Sequence, residues 1–409
     1  MNAVDPDVLS LAEVLETNDP NGRYEIYRRL RQNHPVRWDP RWSVWVITGY
    51  PEAAAALNDP RITALRSGMD ITWLPPENQA SLEPVLRALR TQMLFLDGPD
   101  HHRLRSLANK AFTPRVVESM RERIQALVDG ILDSAAAQGR MDVVADLADP
   151  VPVKVIGDLL GVPPADNPML KRWSDHFAAF LDGSSLTPET AAQAIQSIGE
   201  FMVYFRRLTL SRRGASHGDL LQALVDAEVE GDRLSEDELL ANCVLLLAAG
   251  HETTTNLIAN GLLTLLEHPE QLGMLREEPT LIQGAVNELL RYESPVQNTE
   301  RRVLEDLDLG GARIAADQFV LIVLGAANRD PRTFVNPDIL DIRRPGPAHL
   351  AFGYGHHFCL GAALARLEGQ IAIGSVVRRF PNMRLESAEP RWKRSMLFRT
   401  LECLPVTLA

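Results

Sequence analysis

The stretch Phe352-Gly353-Tyr354-Gly355-His356-His357-Phe358-Cys359-Leu360-Gly361 decides how this chain is to be understood. Cys359 follows a glycine-punctuated loop and directly precedes a helical pattern running from Leu360 to Phe380. A sulfur there faces unsatisfied backbone N–H groups and the positive end of a helix, both of which favour thiolate over thiol. Gly353, Gly355 and Gly361 permit tight turns and close approach of the backbone to a flat ligand. A thiolate in a glycine-lined loop flanked by Phe352 and Phe358 suits axial ligation of haem iron. A lone cysteine is more often buried core. The spacing Phe-Gly-x-Gly-x-His-x-Cys-x-Gly, with six of its ten positions constrained, reverses that balance.

Working outward, Ser235 to Glu267 is one helical pattern with Ser235 as N-cap and Glu238 at capping-box spacing. It would span roughly 48 Å. Its middle, Ala248 to Thr255, is a poor helix former, because a Gly is followed by β-branched residues. Helical patterns also cover 22–32, 51–57, 99–110, 114–136, 153–160, 168–180, 188–211 and 218–227. Val36 to Thr48 alternates with period two around Asp39-Pro40-Arg41, a hairpin signal. Short strands are expected at 302–304, 307–309 and 318–324, after a helix ending near Arg291. The segment 60–96 has no clear period, and apolar loops of that length usually cover a binding site. No repeat or linker divides the chain, so 1–409 is expected to form one mainly helical domain with small β-sheets (α+β).

Composition narrows the function classes. The 409 residues are 45% apolar and 23% charged, and 42 cations against 54 anions leave a net charge of −12. That balance argues against nucleic acid or an anionic membrane as partner. Three cysteines exclude a disulfide framework. The N-terminus carries no signal-peptide pattern, and the longest apolar run, Cys243 to Ala249, is far below the roughly 20 residues that span a bilayer. A cytoplasmic, monomeric protein is expected.

With these motifs together, the chain resembles the cytochrome P450 family of haem-thiolate monooxygenases, in its soluble bacterial branch, over nearly its whole length. Ala249-Gly250-His251-Glu252-Thr253 is similar to the family's oxygen-activation motif, in which an acid beside a hydroxyl relays protons and Gly250 leaves room for dioxygen. Glu288-Leu289-Leu290-Arg291 matches the family's Glu-x-x-Arg pair, although the same spacing recurs at Glu25/Arg28, Glu118/Arg121 and Glu230/Arg233. The resemblance implies that Arg344 completes a buried structural network with Glu288 and Arg291. It also implies that His101 and Arg105, which share a helix face, hold one haem propionate. Arg301 is implied at the other propionate, with Arg302 one residue away, and His357 as a further donor. Phe352, Gly353 and Gly361 would border the cofactor, with Cys359 as the iron ligand.

By the same resemblance Met69, Trp73, Phe177, Phe180, Leu246, Ala249, Gln297, Asn298, Met396 and Leu397 line the substrate pocket. The family's cofactor is haem b, with dioxygen as co-substrate. The sequence holds no flavin or nicotinamide fingerprint, so electrons are expected from NAD(P)H through a ferredoxin and a ferredoxin reductase. Arg103, Lys110, Arg115 and Arg366 are candidates for a basic patch on the cysteine side. The implied activity is hydroxylation or epoxidation of a small, largely apolar molecule in bacterial secondary metabolism, free or carrier-bound. A hydrogen-peroxide-dependent peroxygenase and a non-catalytic haem sensor or recruitment module are the rival classes. The complete Gly250–Thr253 motif weighs against both.

Overall fold

In a computed structural model of the chain, the described residues are 9–17, 19, 22–64, 86–184, 187–212, 220–226, 228–229, 232–386 and 389–408. The fold is mainly helical and is organised around the central helix Glu236–Glu267. Ser235 closes its start with a complete capping box: its hydroxyl accepts from the Glu238 N–H at 3.3 Å, and its own N–H donates to Glu238 at 2.9 Å. Three acids in the first turn complement the helix dipole. From Leu239 to Leu265 nearly every side chain is buried, as expected for a helix apolar on all sides. Helices Pro150–Leu159, Asn167–Asp182, Pro188–Arg212, Ile282–Tyr292 and Ala362–Arg379 surround it. The helix continues through Ala248–Thr255 despite the poor local propensity, so packing overrides it.

A five-stranded mixed sheet flanks this bundle. The hairpin Val36–Asp39 and Val44–Ile47 is antiparallel, with Val36 opposite Ile47. Phe319–Ile322 adds parallel to its second strand, and Thr299–Val303 and Ile62–Thr63 follow antiparallel. The segment after the last long helix returns across the bundle. There Asn256 donates to the Thr400 hydroxyl at 3.0 Å, and Asn260 to the Arg399 carbonyl at 2.6 Å. These bonds fix the turn Ser395–Phe398 against the middle of the central helix.

Several expectations need correction. The pattern at 114–136 is two helices, Pro114–Ser119 and Arg121–Gln138, separated at Met120. A strand at Ala312–Ile314, pairing with Leu307–Leu309, has too few residues to show a period. The helix after the cysteine begins at Ala362, so Leu360 and Gly361 form a turn instead of its first residues. Much of the 60–96 segment, with Met69 and Trp73, lies outside the described residues. No described helix is long and apolar enough to cross a membrane.

Candidate active site

A cavity of about 820 Å³ lies between the central helix and the cysteine loop. On one wall Cys359 is held by its N–H donating to the Phe352 carbonyl at 2.9 Å. Burial pushes its thiol up, while the Gly361 N–H and the charges of Arg105 and Arg366 pull it down. Gly353, at φ +72°, and Gly355, at φ +69°, adopt the left-handed conformation that the loop needs. A Cβ on Gly361 would meet open cavity.

On the other wall stand Ala249, Gly250 and Thr253. The Thr253 hydroxyl donates to the Ala249 carbonyl at 2.7 Å, which leaves its lone pairs to accept. A Cβ on Gly250 would touch Ile156 at an ordinary 3.6 Å, so helix packing does not require the glycine. Glu252 is not on this wall. It faces away from the cavity, toward the C-terminal segment, where the Thr400 hydroxyl donates to it at 3.2 Å. Burial raises its carboxyl; Lys393 opposes this, and Asp175 and Asp149 reinforce it. Its neighbour His251 is fully buried, bonded to the Ser174 hydroxyl at 3.1 Å, and pushed down to about 4 by burial. Asp175 and Lys171, paired at 2.8 Å, connect this cluster to solvent.

The cavity floor gathers His101, Arg105, Arg301 and His357. His101 is 4% exposed and its ring lies 4.3 Å from that of His357, yet its Nε2 has no partner. Burial and the adjoining His357, His356 and Arg105 hold it down at about 4. Arg105 donates to the Phe358 carbonyl at 2.6 Å, and Arg301 to the Thr299 hydroxyl at 2.7 Å. His357 and His356 converge on Asp97 at 2.8 and 3.1 Å. Burial alone would raise Asp97, but hydrogen bonds from His357 and Thr63 hold it well below the usual carboxylate range. A buried imidazole nitrogen awaiting an acceptor, beside two guanidinium groups and below a cysteine, fits the carboxylates and iron of a haem.

Leu246, Asn298, Met396, Leu397, Phe177 and Phe352 line the cavity. Phe180 and Gln297 do not. Phe180 packs into the helical core. Gln297 is fully buried, donating to the Ser294 carbonyl at 2.6 Å and accepting from the Tyr27 hydroxyl at 3.2 Å. Glu288 binds Arg291 through both oxygens at 2.8 Å and Arg344 at 3.0 Å. The two arginines also donate to the carbonyls of Asn328, Pro337 and Ile339, which braces the segment leading to the cysteine loop.

In the expected basic patch, Arg103 is paired with Glu238, and Arg366 is bonded to Asn287 and lies over the Phe352 ring at 4.5 Å. Neither is a freely solvated cation, whereas Arg115 is exposed. Cys243 is fully buried; Cys403 is only half-buried and accepts from Arg391 at 3.2 Å, so it is not core.

Two residues escaped the sequence reading. Asp97 carried a signal in its place just before the 101–105 segment. Glu368 lines the cavity, is 2% exposed, and has an oxygen without a partner; burial raises its carboxyl well above the ordinary value. Its signal was an acid among Leu364, Leu367 and Ile371 on one helix face.

Known proteins match this arrangement. A family profile described as Cytochrome P450 matches residues 167–398. The biotin biosynthesis cytochrome P450 of Bacillus subtilis (strain 168) is 42% identical over 386 residues, covering 94% of this chain and 95% of the relative. The chain belongs to the cytochrome P450 family. The cytochrome P450 monooxygenase PikC of Streptomyces venezuelae is 43% identical, covering 94% and 90%. A crystal structure of P450BioI in complex with hexadec-9Z-enoic acid ligated acyl carrier protein superposes with a TM-score of 0.88 at 40% identity, covering 98% and 100%. The chain is thus a P450 monooxygenase of bacterial type, built for haem-thiolate iron and for electrons from redox partners.

Proposed function

We propose that this P450 uses dioxygen and two externally supplied electrons to hydroxylate or epoxidise a small, largely apolar molecule of bacterial secondary metabolism. The observation that carries this reading is the pairing across one cavity of Cys359 with Thr253, above a buried imidazole that lacks an acceptor. Cys359 would ligate the iron of haem b, and His101, Arg105, Arg301 and His357 would hold its carboxylates. When bound, a thiolate-ligated haem supplies electron-rich iron at which dioxygen is activated.

The chain's own part is proton supply and positioning. Glu252, raised by burial, keeps its proton nearer neutral pH than an exposed carboxyl does. Thr253, its neighbour, accepts at the cavity wall while bonded to Ala249. In this reading Glu252 takes a proton from the Asp175–Lys171 side and turns toward Thr253, whose hydroxyl gives up its bond to Ala249 to pass a proton into the cavity without admitting bulk water. Leu246, Phe177 and Leu397 orient the substrate by apolar contact. Electrons would arrive from NAD(P)H through a ferredoxin and its reductase. A carrier-protein-bound substrate is compatible with the acyl-carrier complex of the BioI relative.

The test is the reduced, CO-bound spectrum together with turnover. Wild type should show the red-shifted thiolate Soret band, and Cys359→Ala should lose it. Thr253→Ala should consume NAD(P)H while forming several-fold less product per electron pair, short of the roughly 10²–10⁴-fold scale of a full general acid–base effect because water can take over part of the relay. Unchanged coupling in Thr253→Ala would remove the proton-relay assignment.

A further inference from the structure

The distal part of the cavity carries a carboxylate that the reaction does not use. Asp182 is the last residue of helix Asn167–Asp182, before Gly183 caps it at φ +66°. Its Oδ1 accepts from the Ser395 hydroxyl at 2.6 Å and from the Leu397 N–H at 2.9 Å. The Ser184 hydroxyl accepts from the Met396 N–H at 3.0 Å beside it. The carboxylate is thereby fixed against the turn whose Met396, Leu397 and Phe398 line the cavity, and Asp182 lines it too. A carboxylate offers about four acceptor positions; two are used, both on Oδ1, and Oδ2 has no hydrogen-bond partner among the described residues.

The electrostatics point one way. The C-terminal end of a helix is its negative pole, where an acid is disfavoured and a cation favoured. Asp182 adds a full negative charge to that pole instead of opposing it. Among the described cavity-lining residues the only Lys or Arg side chains are Arg105 and Arg301, on the floor with His101 and His357. The other acids on the described lining are Glu300, next to Arg301, and Glu368, on the helix after the cysteine loop. Around Asp182 the lining is largely apolar, with Phe177, Leu181 and Phe398, and its polar members Ser184 and Asn298 are neutral and bonded to the Met396 backbone. An apolar chamber with one anchored anion binds an apolar molecule with a cationic end.

We propose that Asp182 is a specificity-determining residue that pairs with a cationic amine on an otherwise apolar substrate. The proposal rests on the reading of this cavity as a P450 substrate site and deepens it.

The holoenzyme tests it with three ligands of equal chain length: dodecyltrimethylammonium, dodecanol and dodecanoate. The quaternary nitrogen has no lone pair and so cannot ligate iron. Affinities are read by the substrate-induced spin-state shift and, independently of the haem, by calorimetry. Wild type should bind the ammonium ligand about tenfold more tightly than the alcohol, and dodecanoate most weakly. Asp182→Asn keeps an acceptor for Ser395 and Leu397 while removing the charge; it should abolish that preference and leave dodecanol within about twofold. Ser395→Ala, which weakens the clamp but keeps the charge, should retain the preference.

Unchanged ammonium affinity in Asp182→Asn overturns the proposal. So does an equal loss for all three ligands, since that would mean Asp182 only braces the turn. Absence of the thiolate CO band in wild type would instead break the haem-thiolate reading, and the two failures are told apart by that spectrum.

Discussion

Two Glu-x-x-Arg pairs in this molecule share a spacing and differ in nearly everything else. Glu25 and Arg28 lie on the surface of helix Gly22–Asn33, with side chains 53% and 43% exposed. Glu288 and Arg291 are 4% and 2% exposed. The surface contact is the shorter, 2.5 Å against 2.8 Å, so separation is no guide to importance. What differs is the alternative open to each group. Water replaces a lost partner at Glu25, whereas in the interior Glu288 is held by Arg291, Arg344 and the Asp341 N–H. Spacing creates the pair, and burial decides what depends on it.

The largest effect should therefore follow from Arg291→Ala. Breaking a buried pair leaves an uncompensated charge and costs roughly 3–5 kcal/mol. It also frees the carbonyls of Asn328 and Pro337 that brace the approach to the cysteine loop. Chemical denaturation should show that loss, accompanied by release of haem from the purified protein. Arg291→Lys should rescue little, because a point charge cannot reproduce the two-pronged contact. A stability within about 1 kcal/mol of wild type would erase the contrast between the two pairs.

Next in size is His101→Phe. Its Nε2 is the mirror case of Glu288: a buried polar atom whose partner the described residues do not supply. A hydrogen bond to a charged acceptor is worth about 1.5–3 kcal/mol, so haem affinity should fall roughly 10- to 100-fold. Transfer of haem to apomyoglobin measures this directly. An unchanged transfer rate would show that the floor of the cavity binds nothing through His101.

These contrasts also mark what the sequence alone made legible. The cysteine loop, the capping box, the hairpin and the Glu288 network rest on local spacing, which sequence records. Which side a residue faces in a crowded bundle does not. Phe177 and Phe180 are three apart on one helix, yet one lines the cavity and the other the core, because neighbouring helices cover more than one face. Gln297 and Asn298 are adjacent polar residues just before the strand Thr299–Val303, and of the two only Asn298 lines the cavity. Glu252 faces away from the cavity for the same reason, one residue from Thr253 and about 100° around the helix. Asp97 was missed because its partners Thr63, His356 and His357 come from distant segments.

Glu368 sharpens the comparison from a third side, being buried like Glu288 but without an arginine. Its folded carboxyl titrates well above the ordinary 4.5 because of burial. The folded state therefore holds the proton more tightly than the unfolded chain does. Stability from this group is complete below pH about 4.5 and is lost as pH rises toward the raised value. Glu368→Gln removes that slope. Urea midpoints at pH 8 should favour the variant, and the advantage should shrink as the pH is lowered toward 5. A pH-independent difference would mean that the carboxyl has found a partner in the folded protein.

The smallest effect is expected where the motif is copied without its surroundings. Arg28→Ala removes a bidentate contact to Glu25 of ideal geometry, yet both groups remain in water. Solvent takes over both hydrogen-bonding roles, and salt screens what attraction is left. The thermal midpoint should stay within about 1 °C of wild type, and haem content should not change. If Arg28→Ala instead destabilised the protein as Arg291→Ala is expected to, burial would not be what separates the pairs. The Glu-x-x-Arg spacing would then carry stability by itself, and every copy on an exposed helix would have to be weighed again.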